Sequence, residues 1–181
     1  NSHPWLQTAR SLAFYLLIGY YVFQSLEWLL LITAIVIIHE MGHFLAMKAF
    51  GYRETGIFFI PLLGAYASGA KREVSQKESA IILLAGPLPG MLLGITFYFL
   101  SVANPSLHIS FISFERIGLA FLFLNLVNLL PVYPLDGGQL LNRIYLDEEG
   151  ISSQIFQWMS IAGMVAIALF AFEKPFYLLL I

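Results

Sequence analysis

Cysteine is absent from this chain of 181 residues, so neither a disulfide nor a thiolate metal site can form, and any metal must be held by histidine and carboxylate. With four histidines in the whole sequence, the search for such a site is short. Charge is nearly as scarce. Asp, Glu, Lys and Arg make up 11% of the residues against 59% hydrophobic, whereas a soluble domain carries about one-quarter charged residues. That balance excludes an ordinary soluble globule and points to a lipid bilayer. The formal charge of −2 is small and the basic residues are scattered, which excludes a nucleic-acid surface.

What the sequence does have is apolar runs. They cover Ser11 to Leu26, Trp28 to Phe50, Ser79 to Val102, Phe111 to Leu130 and Ile151 to Phe172, and a shorter run, Phe176 to Ile181, ends the chain. A span needs about 20 mostly apolar residues, so the expectation is an all-α polytopic membrane protein with about five to six transmembrane helices, forming a single membrane-embedded domain over residues 1–181. The first run is short and could begin near Trp5, where an aromatic ring suits the interface. No small-residue cleavage site follows it, so it does not read as a signal peptide. The chain opens on Asn rather than Met, from which a true N-terminus outside this sequence is expected, and His3 is set aside on that ground.

Five of the nine basic residues, Lys48, Arg53, Lys71, Arg72 and Lys77, lie in or beside the segment between the second and third runs, which places that segment on the cytoplasmic side. The stretch Ala103 to Ser110 has no Lys or Arg and should lie outside, while Arg143 belongs to the next inside loop. The expected localisation is therefore a multi-pass protein of the cell's inner or plasma membrane. Within the cytoplasmic segment, Gly56 to Ala70 is apolar but too short to span, and Pro61, Gly64 and Gly69 interrupt any helix there. It reads as a short re-entrant β-hairpin or loop. Non-helical backbone at membrane depth persists only where protein or a water-filled cavity satisfies it, which makes the segment a candidate side of a site; an ordinary interfacial loop is the plainer alternative.

Near the cytoplasmic end of the second run stands His39-Glu40-Met41-Gly42-His43, an HExxH motif. On a helix, residues four apart share a face, so both imidazoles can reach one metal, while Glu40, rotated by about 100°, can act on the metal's water as a general base. The plainer reading is a pair of interfacial histidines beside a snorkelling acid. It leaves unexplained why an ionisable cluster ends a helix whose preceding residues, Leu29 to Ile38, carry no charge. Catalytic zinc usually takes three protein ligands. His108 lies on the expected outer side, a membrane thickness away. The other candidate is Asp136, in Asn128-Leu-Leu-Pro-Val-Tyr-Pro-Leu-Asp136-Gly-Gly, where Pro131 and Pro134 stop the helix and Gly137 and Gly138 let the backbone bend. Alone, this stretch could be a mere turn. Paired with an HExxH at matching depth, it favours a ligand.

With these motifs in hand, the chain resembles the site-2 protease family of intramembrane zinc metalloproteases. HEMGH is similar to that family's HExxH, and NLLPVYPLDGG to its second signature; Ala85-Gly86-Pro87 and FFIPLLGAYAS also resemble family features. The similarity spans about Leu26 to Arg143, a minimal catalytic core expected to lack PDZ and CBS modules. The resemblance implies one Zn2+ per chain held by His39, His43 and Asp136, with Glu40 as catalytic acid and base. It implies that Asn128 contacts substrate or the reaction intermediate, although Asn128 could equally tie helices together. It also implies that the hairpin with Gly64, Ala65 and Tyr66 receives an unwound substrate.

The expected function is hydrolysis of a peptide bond within or near a transmembrane segment, with the active site towards the cytoplasm. Its partners would be a membrane-protein substrate with a transmembrane helix, the lipid bilayer, and a regulatory membrane partner in place of the missing modules. The rival class is a non-hydrolytic zinc-binding membrane protein or metal transporter. A transporter predicts further ionisable residues within the helices, and the interiors of the third and fifth runs contain none. A di-iron oxygenase needs many clustered histidines, which four scattered ones cannot supply. An inactive relative that binds membrane segments would have lost the base or a ligand, and neither is lost.

Overall fold

The computed structural model describes residues 4–60, 64–146 and 150–173, so His3, Pro61 and the run Phe176 to Ile181 lie outside the described residues. The chain forms two compact units, Asn1–Asn128 and Leu129–Ile181.

The first unit opens with α1 (Pro4–Phe23) and α2 (Leu26–Ala49). Ser25 caps α2 by accepting from the Trp28 amide at 3.4 Å, and Glu27 and Lys48 sit at the ends where the helix dipole favours each sign. At the other end the amide of Gly51 bonds the Lys48 carbonyl and that of Tyr52 bonds the Met47 carbonyl, both at 3.0 Å. This paired closure needs a left-handed residue after the cap, and Gly51 takes it at φ 77°.

Next comes an antiparallel hairpin of β1 (Arg53–Ile60) and β2 (Gly64–Ala70), with Phe58 opposite Tyr66 and Phe59 opposite Ala65. The period of two separates its faces. Phe58 and Tyr66 stack at 5.5 Å on one side, while Ile57 and Phe59 are buried on the other with Tyr15 of α1 and Leu29 of α2. The outer edge of β1 is closed by α1: Thr8 donates to the Ile57 carbonyl at 2.7 Å, and Ser11 accepts from the Phe59 amide at 3.1 Å. Among the described residues no further strand pairs with β2. Expectation and structure agree on a hairpin here.

Helices α3 (Gln76–Ala85) and α4 (Pro87–Ala103) replace the single third helix that the apolar run suggests. Pro87 has no amide hydrogen to offer the carbonyl four residues back, so the run breaks at Gly86. A small hairpin, β3 (His108–Ile109) with β4 (Ile112–Ser113), leads into α5 (Phe114–Asn128). α5 packs on α4 with backbones in close approach: a Cβ on Gly94 would stand 3.0 Å from the Gly118 carbonyl oxygen. Ile35, Ile112, Ile117 and Phe121 form the second core cluster.

The second unit contains α6 (Asp136–Tyr145) and α7 (Ile151–Glu173). A Cβ on Gly137 or Gly138 would overlap backbone of Leu129 or Val132, so both glycines let the proline-bearing turn fold back onto the first turn of α6. Buried Ser153 of α7 donates to Asn142 of α6 at 2.7 Å.

Among the described residues, two helical runs are long and apolar enough to cross a membrane, Leu26–Ala49 and Gln76–Ala103. The fourth apolar run gives less helix than its length suggests. Its first residues make the β3–β4 turn and it stops before Pro131, so α5 has 15 residues, about 22 Å at the helical rise. α1 carries Gln7, Thr8, Arg10 and Ser11 in its first half, which lowers its apolar content.

Candidate metal centre

The first unit contains both histidines of the HExxH motif and the groups that their Nδ1 atoms meet. His39, Glu40 and His43 on α2 are all buried. Each imidazole is committed at Nδ1. His39 Nδ1 lies 2.9 Å from Oδ1 of Asn125 on α5, and the Asn125 amide nitrogen donates to the Phe121 carbonyl at 2.7 Å, which fixes the carboxamide with its oxygen towards the ring. His43 Nδ1 lies 2.8 Å from the Ile82 carbonyl. Both oxygens can only accept, so both Nδ1 atoms donate, and both Nε2 atoms are left as lone-pair acceptors. Those two atoms face each other at 3.1 Å. At that distance one cation can take a lone pair from each. Imidazole nitrogens about 2.0–2.1 Å from a tetrahedral ion stand about 3.3 Å apart, and metal-binding histidines commonly give their other N–H to an oxygen acceptor. The donor set therefore fits zinc.

Absent side chains make the geometry possible. A Cβ on Gly42 would overlap the Ala85 carbonyl, one on Gly86 would overlap the His43 ring, and one on Gly90 would overlap the Asn125 carboxamide. Gly86, Gly90 and Gly94 stand four residues apart, so they share one face at and beyond the start of α4.

Glu40 opens onto a cavity of about 300 Å³ whose lining also includes His39, Asn125, Asn128, Gly64 and Ala65. Asn128 donates from its amide to the Leu124 carbonyl at 3.1 Å. Tyr66 is elsewhere: it is half exposed and stacks on Phe58. His108 is exposed on β3. In the second unit, Asp136 is buried and occupies the first position of α6.

Sequence motifs alone do not single out Asn125, Gly90 or Gly94. Two signals were available: an amide within an apolar helix needs a buried partner, and three glycines at helical spacing clear one face for neighbours.

The sequence profile described as Peptidase family M50 matches residues 27–118. The chain is 33% identical over 143 residues to stage IV sporulation protein FB of Bacillus subtilis, covering 79% of this chain and 46% of that protein. It is 28% identical over 130 residues to a zinc metalloprotease of Methanocaldococcus jannaschii, covering 71% of this chain and 37% of that protein. The chain thus spans less than half the length of these relatives. In structure it is similar to the site-2 protease from Methanocaldococcus jannaschii, with a TM-score of 0.67 at 22% identity, covering 93% of this chain and 79% of that one. That likeness establishes a common fold.

Proposed function

Since the chain belongs to peptidase family M50, we propose that it is an intramembrane zinc metalloendopeptidase, a single membrane-embedded domain that cuts a membrane protein within or near a transmembrane segment. The observation that carries this reading is the facing pair of Nε2 atoms of His39 and His43, with Glu40 on the same cavity. Apolar side chains that face outward on the long helices, among them Leu17, Leu92, Phe99 and Phe123, support a multi-pass protein in a bilayer. The basic residues around the hairpin support a cytoplasmic site.

In this reading His39, His43 and Asp136 hold one zinc ion. Bound zinc supplies a Lewis acid that makes water a nucleophile near neutral pH and stabilises negative charge on the carbonyl oxygen. Glu40 accepts a proton as water adds to the peptide carbon, and its carboxylic acid returns that proton to the leaving amine. Burial limits bulk water around Glu40, which strengthens its interaction with the reacting groups.

Substrate would lie along β2. Because Ile57 and Phe59 spend backbone groups on α1, the antiparallel pattern turns the backbone groups of Ala65 and Ala67, which stand opposite them, to the outer edge of β2. An unwound segment can pair there as an added strand, with Gly64 and Ala65 leaving room beside the cavity and Tyr66 steadying the hairpin from its far face. Asn128 can direct an amide hydrogen to the substrate carbonyl.

The test is co-expression with a panel of tagged single-span membrane proteins, comparing wild type with Glu40→Gln and measuring zinc in each purified protein. The proposal expects cleavage by wild type alone and zinc in both. Zinc without cleavage in either protein would make this a non-hydrolytic zinc-binding membrane protein or transporter.

A further inference from the structure

We propose that Asn125 is a positioning residue that sets the affinity of the His39–His43 site for zinc, and that Gly90 is kept free of a side chain to seat it. The inference rests on reading that site as a metal centre.

Asn125 has no solvent exposure, on a helix that is otherwise apolar at that level. A carboxamide there is tolerated only when its polar atoms are bonded. Its nitrogen is anchored to the Phe121 carbonyl of its own helix, and its oxygen meets His39 Nδ1. The anchor fixes the plane of the amide, and the amide in turn selects the tautomer of His39. Without an acceptor at that point, the imidazole can carry its proton on Nε2 instead, and that tautomer cannot ligate through Nε2. The ring would also lose the contact that holds its plane.

Gly90 completes the arrangement from α4. Any Cβ at that position would occupy the space of the Asn125 carboxamide. One turn earlier, Gly86 clears the ring of His43, whose Nδ1 is met by the Ile82 carbonyl. One face at the start of α4 thus serves both imidazoles, one directly and one through Asn125. A simple interhelical tie would need only a polar pair between α2 and α5. A device for tautomer selection needs an acceptor aimed at Nδ1, and the two are separable by experiment.

Full-length protein is purified in detergent, and zinc affinity is measured by competition with a chromophoric chelator. Replacing a partner of this kind typically weakens metal affinity about 10–100-fold, and Asn125→Leu is expected to fall in that range. Asn125→Asp keeps an acceptor oxygen for Nδ1, although it loses the anchor on the Phe121 carbonyl, and should bind zinc clearly more tightly than Asn125→Leu. Gly90→Ala should weaken binding in the same direction although it touches no ligand, and in the Asn125→Leu background it should add little, because both changes remove one interaction. Cobalt substitution gives a second readout: the visible absorption of Co2+ should change in Asn125→Leu and be restored in Asn125→Asp. If Asn125→Leu fails to fold, the Gly90→Ala and Asn125→Asp comparison decides. Wild-type affinity in Asn125→Leu would overturn the proposal, as would an Asn125→Asp variant as weak as Asn125→Leu. Absence of zinc binding in wild type is a different result, and would remove the metal-centre reading itself.

Discussion

Gly42 of α2 lies against the carbonyl oxygen of Ala85, so closely that a methyl group on Gly42 would overlap it. The second variable position of the HExxH motif is thus the contact point between α2 and the break that separates α3 from α4. Gly42→Ala should push these elements apart and stretch the bond from His43 Nδ1 to the Ile82 carbonyl. Overpacking of this kind costs about 1–3 kcal/mol, so thermal stability in detergent should drop and zinc content with it. Unchanged melting and full zinc would show that α2 and the α3–α4 break accommodate the methyl group without strain.

Glu40 separates chemistry from binding. Glu40→Gln preserves shape but cannot carry the proton, so turnover should fall by about 10²-fold or more while zinc is retained. Cleavage at the wild-type rate would remove Glu40 from the mechanism. Loss of zinc as complete as in His39→Ala would make it a ligand.

Asp136→Ala should lower zinc content sharply, as should His39→Ala and His43→Ala, whereas His108→Ala, on an exposed strand, should leave it unchanged. Metal analysis of the four purified proteins checks this. Full zinc and activity in Asp136→Ala would mean that the third ligand lies elsewhere.

Orientation can be read with single thiols, because the chain has no cysteine of its own. Ser75 and Ser106 are both exposed. In intact cells an impermeant thiol reagent should label Ser106→Cys and spare Ser75→Cys. The reverse pattern would invert the topology.

The hydroxyl contacts of α1 with β1 should govern how firmly the hairpin is held. A hydrogen bond of this kind contributes about 1 kcal/mol, roughly a fivefold change in a local opening equilibrium. Thr8→Val and Ser11→Ala are each expected to speed amide exchange in Ile57 to Phe59 by about that factor, measured by mass spectrometry. Exchange as slow as in wild type would show that the apolar contacts of Phe59 and Tyr15 hold the hairpin without them.

Local rules made some of this architecture legible in the sequence. The four-residue spacing of His39 and His43 brings both to one helix face whatever packs around it, and Pro61 with Gly64 disfavours a helix where the hairpin forms. The break at Gly86 was harder to read. The apolar pattern runs through it without a change of period, so the stretch reads as one continuous helix. Asn125 was hidden for a different reason. It stands three residues from Asn128, and only packing against α2 and α4 decides which amide meets an imidazole. The two asparagines differ in their neighbours in space, and sequence periodicity does not record those.

The edge of β1 closed by α1, and the edge of β2 with which no described strand pairs, have a consequence for length. β2 has seven residues, which extend over about 23 Å as a strand, whereas the same number in a helix rises only about 10 Å. A helix drawn onto that edge must find the difference by sliding along its own axis or by ending nearby. If substrate pairs there as proposed, reach, measured from the end of the recruited helix to the depth of His39, becomes a criterion of selection beside side-chain identity.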